Sequence, residues 1–282
     1  MIFKISHITE YSYSDKVFFE PHIFRFKPKH TPHLTLKDFT INIAPEASGF
    51  SEQTDIENNH NLFCWFDETH TKLKINAYSL VEAQENNPFN FLVHPPEYLQ
   101  IPFDYDNNTN QLLKPSLIAD DLSKEVTAYL KGILSDTNHR SVDFLVELTK
   151  NIHQDFTLES RETGNPYDPN YTFKKKVGSC RDLAWMQIHM LRYLGIATRF
   201  VSGYYFVEVE NPTYELHAWV EVYLPGAGWI GLDPGHGILT STHHIPVASS
   251  AFYTYTMPVS GIVRGNPEAT LKHELKIDRQ PF

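Results

Sequence analysis

The stretch that most constrains the fold runs from residue 178 to residue 234. A Gly178-Ser179 step leads into a run carrying Leu183, Ala184, Trp185, Met186, Ile188, Met190, Leu191 and Leu194 before Gly195. Apolar residues nearly all round a helix require burial on every side, so this helix must be central. Strand patterns follow at 197–209, 214–224 and 228–233. In the second of these, Leu216, Ala218, Val220, Val222 and Leu224 share one face, and His217, Trp219, Glu221 and Tyr223 share the other. The apolar face is expected to pack inward, and the His217 face to look toward the start of the helix. Pro225-Gly226-Ala227-Gly228 supplies hairpin chemistry, making the last two strands antiparallel neighbours.

Three residues in this stretch carry chemistry. Cys180 opens the helix, where unpaired N–H groups and the positive dipole end favour a thiolate over a thiol. His217 on its strand can supply an imidazolium to pair with that thiolate. Asp233 ends the next strand and can accept from the ring nitrogen that does not face the thiol, which fixes the tautomer. Each alone has an ordinary reading: a buried small hydrophobe, one half-exposed histidine among 15, a turn aspartate ahead of Pro234. Together they make a candidate nucleophile, base and orienting group. The arrangement sets a parity condition on the hairpin. His217 and Asp233 are both odd-numbered, so they share a face only if opposite residues sum to an even number. A plain four-residue loop would pair Leu224 with Trp229 and give an odd sum. An odd loop or a bulge is required, placing Asp233 opposite Trp219 or Glu221.

The rest of the chain divides by its patterns. Residues 1–100 read as short strands (2–13, 17–26, 35–44, 62–66, 73–81) separated by polar turns, and suggest an antiparallel sheet or sandwich. Prolines 95, 96 and 102 and the run Asp106-Asn107-Asn108-Thr109-Asn110 mark 95–115 as a linker. Helices are expected after Asp120 or Asp121 and after Ser141, each acting as a cap, and 161–176 reads as a polar loop. The expected organisation is a β domain over 1–100 and an α+β catalytic domain over 115–282. With 282 residues and a net charge of −10, the chain is not built for nucleic acid or an anionic membrane surface. No stretch approaches the ~18 apolar residues of a membrane helix, and with a Lys inside the opening apolar run Met1-Ile2-Phe3-Lys4-Ile5 no secretory signal is expected. Two cysteines make no disulfide framework, so a reducing, cytoplasmic setting is expected. Cys64 has no activating context and reads as core. His236, His243 and His244 lack any metal-ligand spacing, so neither a metal nor a cofactor is expected.

The segments Gly178-Ser179-Cys180-Arg181-Asp182-Leu183-Ala184, 191–204, His217-Ala218-Trp219-Val220-Glu221-Val222-Tyr223 and Gly228-Trp229-Ile230-Gly231-Leu232-Asp233-Pro234 together resemble the bacterial transglutaminase-like family. His7-Ile8-Thr9-Glu10-Tyr11-Ser12-Tyr13 and Phe24-Arg25-Phe26-Lys27-Pro28 resemble the β-rich N-terminal region that often precedes that core. The resemblance implies a papain-like α+β core, with Cys180 as nucleophile, His217 as general base and acid, and Asp233 as the orienting group. It implies attack on the amide of a peptide or protein and a thioester intermediate. Water resolves that intermediate unless a site holds an amine, so hydrolysis is narrowly favoured over transglutamination. A catalytically silent scaffold on the same fold is the rival reading. The backbone N–H of Cys180 is expected in the oxyanion hole, with Asn170 or Tyr171 completing it, and Trp219 beside the substrate. Two departures stand out: Asn58-Asn59-His60-Asn61 replaces a Gly-Asn turn, and Ser249-Ser250-Ala251-Phe252 replaces Gly-Arg-Asp-Tyr.

Overall fold

A computed structural model describes residues 1–161, 163–210, 212–265 and 267–280. The first part holds strands β1 (Ile2–Phe19), β2 (His22–Phe24), β3 (Leu34–Ala44), β4 (Gly49–Thr54), β5 (His60–Trp65) and β6 (Thr69–Ala83). Helices α1 (Asn107–Leu113), α2 (Lys124–Asp136) and α3 (Ser141–Asp155) follow. After them come β7 (Thr157–Leu158), α4 (Pro169–Lys175), β8 (Val177–Gly178) and α5 (Cys180–Tyr193). The remaining strands are β9 (Thr198–Tyr205), β10 (His217–Leu224), β11 (Gly228–Asp233), β12 (Ile238–Leu239), β13 (His244–Ser250), β14 (Val259–Ser260), β15 (Val263–Arg264) and β16 (Ala269–Gln280). The architecture is α+β, as the sequence implies.

Two sheets form the N-terminal β region. One runs β15-β1-β6-β3, with β16 also on β1; the other runs β14-β2-β5-β4. Their shared core contains Val17, Phe19, Phe24, Phe26, Leu62, Phe66, Leu73 and Ile75, and Cys64 lies among them as expected. β1 is one long strand with a register shift between Ser12 and Val17, not two strands divided by a turn at Ser14-Asp15. The C-terminal half centres on α5, which packs on the antiparallel sheet β12-β11-β10-β9-β13. Leu183, Ala184, Met186, Ile188, Met190 and Leu191 are buried in one core with Ala218, Val220, Val222 and Leu224. The helix body therefore lies on the even-numbered face of β10. On the odd face, His217 meets Cys180 at the start of the helix, as expected, while Trp219 packs against His244.

Several expectations drawn from local pattern are corrected by packing. Residues 95–115 are no open linker: Tyr98, Ile101, Tyr105 and Leu113 are buried in the α5 core. The Tyr105 hydroxyl donates to Tyr223 O at 2.8 Å and accepts from Ala197 N at 3.0 Å. Ser123, not Asp120 or Asp121, caps α2 by accepting from Val126 N. Ser141 is the first residue of α3, and its hydroxyl donates to Tyr98 O at 2.6 Å. The loop expected over 161–176 contains α4, capped by Asp168 and opened by Pro169, a favoured first helical residue.

The division of the chain also differs, because β16 leaves the C-terminal half. It pairs with β1 along its length, from Ile2 opposite Gln280 to Tyr13 opposite Ala269. Phe3, Ile5, Leu275 and Ile277 from this pair pack with Tyr204, Phe206, Ile245 and Val247 from the α5 half. The two departures from the family pattern meet at the same junction. Asn58 adopts a left-handed conformation, φ 61°, which Asn tolerates better than most side chains. That turn buries Asn59, whose Nδ2 donates to Ser249 O at 3.0 Å and whose Oδ1 accepts from Ser249 N at 2.8 Å. Lys29 Nζ donates to both Asn59 Oδ1 (3.0 Å) and Ser249 Oγ (2.9 Å).

Two tests follow from this packing. Asn59→Ala leaves Ser249 N–H and O without partners in a buried seam, so a loss of about 2–3 kcal/mol is expected in urea unfolding; a loss below a few tenths would mean the seam is not fully formed. His7, buried in β1, is pulled down to about 4 by burial and then by repulsion from His273. Its folded value lies below the ordinary 6.5. Stability is therefore flat above that pH and falls as pH drops toward 4, where the unfolded chain binds a proton the folded one refuses. Denaturation curves at stepped pH should show a shallower acid slope for His7→Gln than for the parent chain.

Candidate active site

The start of α5 is fixed by one carboxylate. Asp182, fully buried, accepts from Ser179 N (2.8 Å) and Ser179 Oγ (2.6 Å) on one oxygen, and from Tyr167 N (2.7 Å) and Arg161 Nη2 (2.6 Å) on the other. It thus satisfies the helix N terminus and ties the 161–167 segment to it. Gly178 has to be glycine for this, since a Cβ there would sit 2.9 Å from Asp182 Cβ. Cys180, half-buried, is presented at that fixed point. Among the described residues its backbone N–H meets no protein acceptor, so it remains available to an oxyanion.

The hairpin meets the parity condition. Leu224 lies opposite Gly228 and Val220 opposite Leu232, so the loop is the odd one, 225–227, and the next position opposite Asp233 is 219. Asp233 Oδ2 then accepts from His217 Nε2 at 2.8 Å. The other ring nitrogen, Nδ1, is the one left to face the thiol, and Cys180 is close enough to stabilise the charged ring. Burial alone would push His217 down, but the charge and hydrogen bond of Asp233, with Cys180 added, outweigh it and raise His217 to about 10. Asp233 is held well below the carboxylate range: burial opposes its charge, and His217 with the neighbouring donors overcomes that.

Sequence reasoning missed two members of this cluster. His236 Nδ1 lies 2.8 Å and His244 Nε2 3.0 Å from the same Asp233 oxygen, while Gly235 N–H donates to the other at 2.9 Å. Ser241 N–H donates to His244 Nδ1 at 3.1 Å, so the His244 proton resides on Nε2 and points at Asp233. Burial holds His244 below its ordinary value against the pull of Asp233, leaving it a neutral donor. The Tyr205 ring covers the group, 4.4 Å from His236 and 4.3 Å from His244 between centroids. The i,i+3 spacing of Asp233 and His236 around Gly235 was the available sequence signal.

Cys180 and His217 line a cleft of about 700 Å³ between the two halves of the chain. Arg161, Arg181, Glu159, Glu215 and His236 line it on the side of α5, and His7, Thr9, Tyr11, Leu271 and His273 on the other. The three residues expected to touch substrate lie outside it. Asn170 is consumed by structure, accepting from Ser123 N (2.7 Å) and donating to Asp121 O (2.9 Å). Tyr171 is exposed on α4 beside Tyr167. Trp219 is buried behind His217, and Gly203 makes room for it, since a Cβ there would lie 2.6 Å from the indole.

A thiol at the start of a buried helix, facing an imidazole that a carboxylate holds on the adjoining sheet, is the architecture of transglutaminase-like and cysteine-protease folds. Comparison with known proteins agrees. Residues 127–234 match the transglutaminase-like superfamily, and residues 3–82 match the bacterial transglutaminase-like N-terminal region. The chain thus joins a bacterial transglutaminase-like N-terminal region to a transglutaminase-like core. It is 25% identical to the uncharacterized protein Rv2569c of Mycobacterium tuberculosis, over 99% of this chain and 93% of that one. It is 32% identical to a protein-glutamine gamma-glutamyltransferase of Pseudomonas aeruginosa, over 29% of this chain and 14% of that one. The crystal structure of a candidate cysteine protease from Cytophaga hutchinsonii superposes with a TM-score of 0.72 at 19% identity, covering 100% of this chain and 92% of that one. That likeness shows the shared fold.

The Asp182 cluster is directly testable. Asp182→Ala removes the acceptor of the helix N terminus and leaves the largely buried Arg161 guanidinium without its counter-charge. A loss of about 3 kcal/mol is expected by thermal or urea unfolding. A change within about 0.5 kcal/mol would show that the segment is held by other contacts.

Proposed function

We propose that the chain is a thiol-dependent amide-bond enzyme working through Cys180, His217 and Asp233. The observation that carries this reading is the buried His217–Asp233 contact, 2.8 Å long, at a cleft that also contains the thiol. A buried ion pair of this kind is a weak way to stabilise a fold, which favours a chemical role. The Cys180 thiolate attacks the amide carbonyl, and the oxyanion accepts from the Cys180 N–H. His217 gives its Nδ1 proton to the departing nitrogen, the C–N bond breaks, and a thioester with an amine product results. Water then attacks the thioester while His217 Nδ1 takes its proton; the C–S bond breaks, releasing a carboxylic acid and restoring the thiolate. Asp233 keeps the ring oriented and stabilises its charged form throughout.

Hydrolysis is favoured over transfer because an amine acceptor would have to compete with water for the thioester, and nothing in the sequence marks a pocket for an amine. Two unpaired thiols suit a reducing compartment, and a cytoplasmic location is part of the proposal. Among the described residues no helix is long and apolar enough to cross a membrane.

The test is twofold. Iodoacetamide at pH 6 should alkylate Cys180 well ahead of the buried Cys64; equal rates would favour a silent scaffold. Against a library of peptide and isopeptide substrates, Cys180→Ala and His217→Ala should each lose roughly ten-thousandfold or more in rate, and Asp233→Ala somewhat less. Turnover retained by Cys180→Ala would end the thiol mechanism, and amine incorporation exceeding hydrolysis in the presence of a primary amine would reverse the preference between the two outcomes.

A further inference from the structure

His236 has no task in the thiol mechanism, yet the backbone is built to deliver it. Gly237 N–H and His236 N–H both donate to Asp233 O, at 2.8 and 3.3 Å, closing a tight turn after β11. His153 on α3 holds that turn from outside through Gly235 O, at 2.9 Å. The turn returns the His236 imidazole to the carboxylate while leaving the ring partly exposed to the cleft.

We propose that His217, Asp233 and His236 bind one divalent transition-metal ion, zinc being the best match, and that the ion shuts the site by replacing the His217–Asp233 hydrogen bond. Their ligand atoms all lie within 4.8 Å of one another. Two imidazoles and a carboxylate make a zinc donor set of the open kind, with a fourth position for water. Tetrahedral zinc, with bonds of about 2.0–2.2 Å, needs ligand atoms roughly 3.3 Å apart. The two nitrogens now stand 2.8 Å from Asp233 Oδ2 and within 4.8 Å of each other, so the rings must draw back from the carboxylate by about half an ångström and turn toward one another. The carboxylate need not move. Gly235 N–H holds Oδ1 and the His244 Nε2–H holds Oδ2, and neither donor is a ligand in this scheme. His244 thus does what outer-shell groups do at metal sites, fixing a ligand in place.

The proton balance is simple. On binding, His217 releases its Nε2 proton to solvent and keeps the one on Nδ1. His236 keeps one proton, moved from Nδ1 to Nε2, where it faces the cleft. The Cys180 thiolate then lacks an imidazolium partner, and Asp233 no longer orients the ring. Binding itself does not depend on the proposed function; only the consequence, inhibition of the thiol, rests on it.

Calorimetric titration of the full chain with zinc chloride, and visible absorption with cobalt(II) chloride, test the site. The expected result is one ion per chain and cobalt bands of tetrahedral type without a thiolate-to-cobalt charge-transfer band. Cys180→Ala should bind as the parent does. His236→Phe should weaken binding at least about tenfold, since even partners outside the ligand shell are worth that much; His236→Gln, with matching melting curves, guards against a folding defect. Saturating zinc should slow iodoacetamide alkylation of Cys180 in the parent, and far less in either His236 variant. Absence of binding would overturn the proposal. So would binding undiminished by both His236 variants, or binding lost in Cys180→Ala with a charge-transfer band in the parent, which would put the metal on the thiol instead. Failure of the enzyme reading would register separately, as metal-free Cys180 alkylating no faster than Cys64.

Discussion

The second half of this protein is organised around one buried carboxylate. Removing Asp233 from water costs several kcal/mol unless donors replace the lost hydration. Four do: His217 on β10, Gly235 and His236 in the following turn, and His244 on β13. A single charge thus couples two strands and a turn. The neutral His244 donates without adding charge, so Asp233 keeps its full attraction for the His217 imidazolium. The glycines at 203 and 235 serve the same centre. A Cβ at Gly203 would strike the Trp219 ring that backs His217, and one at Gly235 would press on Asp233 Oδ1 at 3.2 Å.

What could be read in the sequence was what local rules control. The all-round apolar pattern of α5 required a central helix, the strand alternation of β10 was plain, and parity with a His217–Asp233 contact required an odd hairpin loop or a bulge, the first of which pairs Leu224 with Gly228. These depend on neighbours a few residues apart. The misreadings share the opposite character. Asn170 looked like an available amide and is spent on Ser123 and Asp121, 47 and 49 residues away in the chain. The 95–115 segment looked like a linker because Pro95, Pro96 and Pro102 interrupt any regular element there; its buried residues, Tyr98, Ile101 and Tyr105, are each placed by the surface they cover. The strand β16 did leave a trace, in the alternation of Leu271, Leu275 and Ile277. Its partner, however, lies at the far end of the chain.

The departures at Asn58–Asn61 and Ser249–Phe252 show how two anomalies can have one cause. Taken separately, each replaces a residue set with an apparent role. In space they are the two sides of a seam between the N-terminal region and β13. Asn59 bridges the backbone of Ser249, Glu57 Oε1 accepts from Ala251 N at 3.0 Å, and Lys29 spans the join. Burial, and then the nearby Arg199, pull Lys29 down to about 8 despite three acidic groups nearby that oppose the shift. That is the cost of closing the seam with a cation. Backbone groups recognised by an amide side chain constrain position more than apolar contact would, because each bond fixes a direction as well as a distance.

That fixed junction matters to the site because the inner face of the β1–β16 pair changes character along its length. Where it docks on the α5 half it presents Phe3, Ile5, Leu275 and Ile277. Two residues further along each strand, the same face carries His7, Thr9, Tyr11, Leu271 and His273, and these line the cleft that contains Cys180. His7 and Thr9 are nearly fully buried yet polar, and they satisfy each other at 3.3 Å, with Tyr204 completing the set at 3.2 Å. A face serving only to cover the core would have continued apolar, since burying such groups brings no net gain in stability. The cleft at Cys180 therefore lies between two walls, one from each half. Their relative position is held by the Asn59 seam and by the β16 strand that crosses back.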